Sequence, residues 1–145
     1  MNYLKKISLL LITLIAFSSC SSDDDSSPSQ DPLIGTWNYY KYFENEVELP
    51  LEPCESEETI VFSANGDLSF TDYIDNAGAC EIDEATTGTW ANLGSGSYSI
   101  TIFGFTSTED ITFEGNTFYF EYTDDNGTPT DPSDDIVYRE VYIRQ

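Results

Sequence analysis

Hydrophobic and polar positions divide the chain into three regimes. Residues 7–17, ISLLLITLIAF, are an unbroken run of eleven uncharged and mostly apolar residues. Residues 21–32, SSDDDSSPSQDP, offer no apolar side chain except proline. From residue 33 onward, apolar and polar positions alternate between Gly, Asn and Asp turns, and no stretch keeps apolar residues at helical spacing over three turns. Alternation with period two predicts half-buried strands, so the third regime reads as all-β.

Side-chain parity places two hairpins in register. In TIVFSANGDLSFTDY, residues 59–73, a three-residue loop of Ala64, Asn65 and Gly66 sets Phe62 opposite Leu68 and Ile60 opposite Phe70; a two-residue loop would set Phe62 opposite Ser69. Cross-strand partners share a face, so the longer loop is expected, with Gly66 in the left-handed position of a bulged turn. In ITFEGNTFYFEY, residues 111–122, a two-residue turn at Gly115 and Asn116 pairs Phe113 with Phe118 and Ile111 with Phe120, leaving Thr112 and Tyr119 on the other face. Further strands are expected at 35–43, 86–92, 97–105 and 135–144, which makes eight. An eight-stranded antiparallel up-and-down meander hides its edges most readily by closing into a barrel; a two-sheet β-sandwich is the alternative.

The first two regimes read as export machinery. Lys5 and Lys6 precede the apolar run, and eleven helical residues would rise only about 16 Å, roughly half the hydrocarbon core of a bilayer. Residues 1–19 are therefore expected to be a signal peptide rather than a membrane span. Residues 20–32 form a tether that cannot offset the entropy of ordering, about 19 Å in root-mean-square length and about 40 Å when extended. Residues 33–145 suffice for one domain and one core.

The border itself is informative. Phe17, Ser18, Ser19 and Cys20 resemble the lipobox of a bacterial lipoprotein signal, although Phe17 stands where Leu is usual. The resemblance implies lipid attachment at Cys20 and a membrane anchor, each buried methylene contributing about 0.8 kcal/mol. The SSDDD that follows resembles the acidic signal of Bacteroidetes lipoproteins, which implies an outward-facing position on the outer membrane.

Charge and cysteine count narrow the partners. Beyond residue 19 the chain carries 27 acidic side chains against Lys41, Arg139 and Arg144, a side-chain charge of −24, so no nucleic-acid partner is expected and cations are plausible ones. With Cys20 assigned to lipid, Cys54 and Cys80 remain as an even pair, read in an exported protein as a disulfide. The first hairpin's register sets position 54 opposite position 76, close to Cys80.

The stretch LIGTWNYY, with Gly35, Thr36 and Trp37, resembles the Gly-x-Trp signature of lipocalins. A cysteine before the second strand, the turn from Phe62 to Gly66, a second cysteine and the Gly-Thr-Trp at 88–90 extend that likeness to the lipocalin-like domain of Bacteroidetes lipoproteins, across residues 33–144. The likeness implies a small hydrophobic ligand inside a barrel, with Trp37 at its closed end. It also implies that a basic residue late in the last strand, Arg139 or Arg144, packs across Trp37. The residues alone read Trp37 as core and leave Trp90 equally as core or ligand contact, with Gly35 and Gly88 giving room for strand crossing. The faces expected to line the core or a cavity carry Ile60, Phe62, Leu68 and Phe70 from the first hairpin, and Ile111, Phe113, Phe118 and Phe120 from the second.

The available chemistry is sparse. Without histidine there is no Ser-His-Asp or Cys-His device and no His-containing zinc site, so neither an enzyme nor a cofactor is expected. A carboxylate pair of glycosidase type is open, but 27 acids make a close pair common by chance. In TDDNGTPTDPSDD, residues 123–135, Asp124, Asn126 and Thr128 alternate like calcium ligands, with Asp131, Asp134 and Asp135 placed to complete a shell. No Glu closes that loop and Pro129 and Pro132 stiffen it, so a solvated loop without metal is expected. Two functions follow: binding of a small hydrophobic or amphipathic ligand, or display of loops to a protein or glycan partner around a filled barrel.

Overall fold

A computed structural model describes residues 30–127 and 130–145; the signal peptide, Cys20 and nearly all of the acidic tether lie outside the described residues. The chain forms β1 (Gly35–Glu44), β2 (Val47–Leu49), β3 (Thr59–Phe62), β4 (Asp67–Asn76), β5 (Ala79–Gly94), β6 (Ser97–Ile102), β7 (Phe105–Asp110), β8 (Thr112–Glu114), β9 (Thr117–Asp124) and β10 (Ile136–Arg144). All pair antiparallel in one up-and-down sheet of order β7-β6-β5-β4-β3-β1-β10-β9-β8. β2 continues the β3 side of β1, pairing with Tyr42 to Glu44 where β3 has ended.

Both hairpins show why turn chemistry and parity together fix a register. Ile60 pairs with Phe70 and Phe62 with Leu68, and Gly66 takes φ +87° while its amide donates to Ser63 O at 3.0 Å. Phe113 likewise pairs with Phe118, and Thr112 with Tyr119. The ladder stops there, so the expected pairing of Ile111 with Phe120 is not made: the Ile111 amide instead donates to Gly96 O at 2.8 Å.

Among the described residues the count of eight strands is corrected to ten, in a sheet that does not close. The expected strand at 97–105 breaks because Phe103 and Gly104, at φ +53° and +80°, reverse the chain and set Ile102 opposite Phe105. A second left-handed pair, Asn45 and Glu46 at φ +48° and +67°, folds β2 back on β1. No ladder joins β7 to β8, the two edges of the sheet.

Side chains complete the circuit that backbone hydrogen bonds leave open. Trp37 of β1 meets Phe118 of β9 edge-on at 4.7 Å, and Phe118 meets Phe62 of β3 at 6.2 Å. Phe62 then meets Trp90 of β5 at 5.8 Å, Trp90 meets Tyr98 of β6 at 6.1 Å, and Tyr98 meets Phe113 of β8 at 6.4 Å. Phe113 returns to Trp37 at 6.4 Å. The sheet is thus curled around one aromatic core, in pairings worth about 0.5–1.5 kcal/mol each beyond area burial.

Two glycines permit this curl. A Cβ on Gly88 would collide with the Thr101 carbonyl of β6, and one on Gly35 would collide with the Arg144 guanidinium. Outside the core, Cys54 and Cys80 form a disulfide with Cα atoms 5.5 Å apart, tying the segment after β2 to the start of β5. The end of the tether is also held: Asp31 accepts from the Leu33 amide at 2.9 Å and from Tyr98 Oη at 3.2 Å. Asp31 is thereby tied to β6.

Candidate functional site

The interior of the curled sheet divides into a filled end and a hollow end. At the filled end Leu33, Trp37, Phe62 and Phe118 are fully buried. Trp37 Nε1 donates to Leu33 O at 2.8 Å, so its one polar atom is satisfied. Arg144 lies across the indole with its guanidinium carbon 4.2 Å from the ring centroid, and its Nη1 donates to Ile34 O at 2.9 Å. Register explains why Arg144 and not Arg139 does this: Arg144 pairs directly with Trp37, whereas Arg139 has opposite parity and donates from Nε to Glu121 at 2.7 Å.

At the hollow end a cavity of about 390 Å³ opens between β3, β4, β6, β7, β9 and β10. Ile60, Phe62, Leu68, Phe70 and Phe120 line it, five of the eight residues that hairpin parity puts on the inner faces. Trp37, Trp90, Ile111, Phe113 and Phe118 do not line it. Trp90 is settled as core: it is 9% exposed and its Nε1 donates to Ser63 O at 2.9 Å. Ile100, Ile102 and Phe103 complete the apolar wall, Phe103 meeting Phe70 edge-on at 6.5 Å.

The rest of the wall is polar: three glutamates with Ser107 and the Tyr142 phenol. Glu58, Glu109 and Glu140 face the cavity, and the Tyr142 hydroxyl donates to Glu140 Oε2 at 3.1 Å and stands 3.4 Å from Glu58 Oε1. Glu58 is positioned by its own backbone, whose carbonyl accepts from the Tyr39 amide at 3.1 Å just before β3 begins. Glu140 is positioned by β10, where it pairs with Phe120 on one side and Tyr42 on the other. Burial, reinforced by the charges of Asp72 and Glu140, pushes the Glu58 carboxyl up to about 7. Burial also raises Glu140, against the hydrogen bond from Tyr142, and lifts the Tyr142 phenol well above its ordinary value.

Sequence reasoning missed Glu140 for a definite reason. In IVYREVYIR the odd positions, Val137, Val141 and Ile143, carry most of the aliphatic residues, so hydropathy alone favours them as the inner face. The sheet turns the even positions inward instead: Tyr138 stacks on Tyr42 at 5.9 Å, Tyr142 on Phe118 at 5.1 Å, and Val137 is exposed. The one available signal was parity with Arg144, since a residue that crosses Trp37 carries Tyr142 and Glu140 to the same face.

In the described part of the acidic loop, Asp124 accepts from the Asn126 amide at 2.9 Å, and Asp131 accepts from the amide and hydroxyl of Ser133 at 3.1 and 2.6 Å. These carboxylates close local turns, and among the described residues no three His, Cys, Asp or Glu side chains form a metal-holding group. Thr128 lies outside the described residues.

An antiparallel sheet curled around a hollow of mixed carbon and carboxylate lining, stoppered at one end by a tryptophan under an arginine, defines a small up-and-down β domain. The chain belongs to the lipocalin-like domain family, whose model matches residues 33–120. A comparison with curated proteins gives no match. The matched range ends in β9, so Glu140, Tyr142 and Arg144 of β10 lie beyond it.

Proposed function

We propose that this protein is a lipid-anchored binding protein, attached through Cys20, facing outward from the outer membrane, and holding a small hydrophobic or amphipathic molecule in its cavity. The cavity carries this reading. Its roughly 390 Å³ falls in the ordinary range for ligand pockets, and its wall is mostly aliphatic and aromatic carbon. A display domain acting only through its loops has no use for a hollow end; the filled end around Trp37 already supplies the core. In this reading the curled sheet serves as a barrel although its edges share no ladder. Binding without turnover fits a chain that has no histidine, since the usual nucleophile–base pairs are then missing.

The test is a titration with N-phenyl-1-naphthylamine, a neutral dye that brightens in apolar surroundings. The unaltered protein is expected to enhance its emission saturably, and Ile102→Trp, which fills the cavity from β6, is expected to lose the enhancement while keeping its circular dichroism spectrum. Equal enhancement by both proteins, or none by the unaltered one, would contradict the proposal.

A further inference from the structure

The hollow end carries charge that a purely hydrophobic ligand would not use. Glu58, Glu109 and Glu140 sit in a wall otherwise made largely of carbon, where an ionised carboxylate without a partner is costly. Among the described residues the chain's cations are engaged elsewhere: Lys41 pairs with Glu48 at 2.8 Å, Arg139 with Glu121 at 2.6 Å, and Arg144 covers Trp37. Tyr142 has one proton to share between two carboxylates, Glu140 Oε2 at 3.1 Å and Glu58 Oε1 at 3.4 Å. Ring faces surround the same space, with Phe103 against Phe70 at 6.5 Å and Phe120 stacked on Tyr142 at 6.1 Å. Carboxylates and ring faces both attract an ammonium group, and both disfavour an anionic head.

We propose that the cavity takes an amphipathic organic cation, an alkylammonium whose chain lies against Ile60, Leu68 and Ile100 and whose head sits between Glu58 and Glu140. This rests on the cavity being a binding site and names the chemical class of its ligand. A metal ion fits the same wall poorly, because it needs six or more hard oxygen ligands where the cavity offers carbon.

Every titratable group facing the pair is an acid or a phenol. Glu58 is faced by Glu55 from the turn before it, Tyr39 from β1 and Asp72 from β4; Glu140 is faced by Glu109 from β7, Tyr122 from β9 and Tyr142 from β10. As pH rises from about 5 to about 8, Glu58 releases the proton that burial holds on it, and the site becomes a better counterion. Ammonium binding therefore tightens over that window, while binding of a neutral alcohol stays level.

Calorimetric titration of the purified full chain with decylamine, decanol and decanoate, each below its micellar concentration, tests this. At pH 8 decylamine is expected to bind about tenfold or more tighter than decanol, the scale of a hydrogen bond to a charged group, with decanoate weakest. At pH 5 the preference for the amine shrinks. In Glu58→Gln combined with Glu140→Gln, decylamine falls to the affinity of decanol and decanol is unchanged. If decanol or decanoate binds as tightly as decylamine at pH 8, or if the amine preference survives in the double variant, the cation assignment is overturned while cavity binding stands. If none of the three binds, both readings fall. Should the double variant fail to fold, the two pH values on the unaltered protein decide.

Discussion

At Glu58 the fold keeps a proton that the unfolded chain would release. Its carboxyl rises from 4.5 to about 7, so between those values the native state binds more protons than the unfolded state. Stability then falls as pH rises: the contribution is whole below about pH 4.5 and is lost as pH passes through about 7. Glu58→Gln removes this dependence. Denaturant unfolding is expected to show the variant about 1–2 kcal/mol more stable than its parent at pH 8, after allowance for partial exposure, and about equal to it near pH 4.5. An equal gain at both pH values would remove proton linkage as the cause. Residues of this kind were the least legible in the sequence. Phe62 and Leu68 could be read because a turn signal and an alternation agreed; Glu140 could not, because the aliphatic residues of β10 occupy its outward face and argue for the wrong one.

At the scale of elements, turns made the difference between legible and illegible. Asn65-Gly66 and Gly115-Asn116 are residue types that left-handed turns favour, and the hairpins they close formed in the expected registers. Phe103 is not such a residue. An aromatic at φ +53° carries no turn signal, so the expected strand 97–105 ran through the reversal and the rest of β7 went unread. The bulge between Tyr39 and Lys41 was hidden in the same way; it returns Tyr42 to the inner face after Tyr40 has been passed over to solvent. The disulfide was legible because cysteine count and hairpin register converged on it. It closes a loop of 26 residues, for which chain entropy gives about 3.5 kcal/mol. Cys54→Ser with Cys80→Ser is expected to lower the thermal midpoint accordingly, and an unchanged melt would show that this crosslink carries no stability.

For the whole molecule, an all-β domain could be read from alternation, and its enclosed shape could not, since closure depends on contacts between ends of the sheet. The aromatic circuit from Trp37 to Phe113 supplies those contacts although β7 and β8 share no ladder. The proposed anchoring concerns the whole chain, whose charge is −22; among the described residues no helix is long and apolar enough to cross a membrane. Cys20→Ala is expected to move the protein from the membrane fraction to the soluble one and to abolish labelling by a radioactive fatty acid; retention in membranes would contradict anchoring at that residue. The proposed function requires that ligand enters the hollow end of the sheet, and two-dimensional amide NMR during titration with decanol reads this out residue by residue. Saturable shifts are expected at Ile60, Leu68, Phe70, Ile102 and Phe120 with little change at Trp37 or in residues 123–135; shifts confined to the loops, or none at all, would rule out entry at the hollow end.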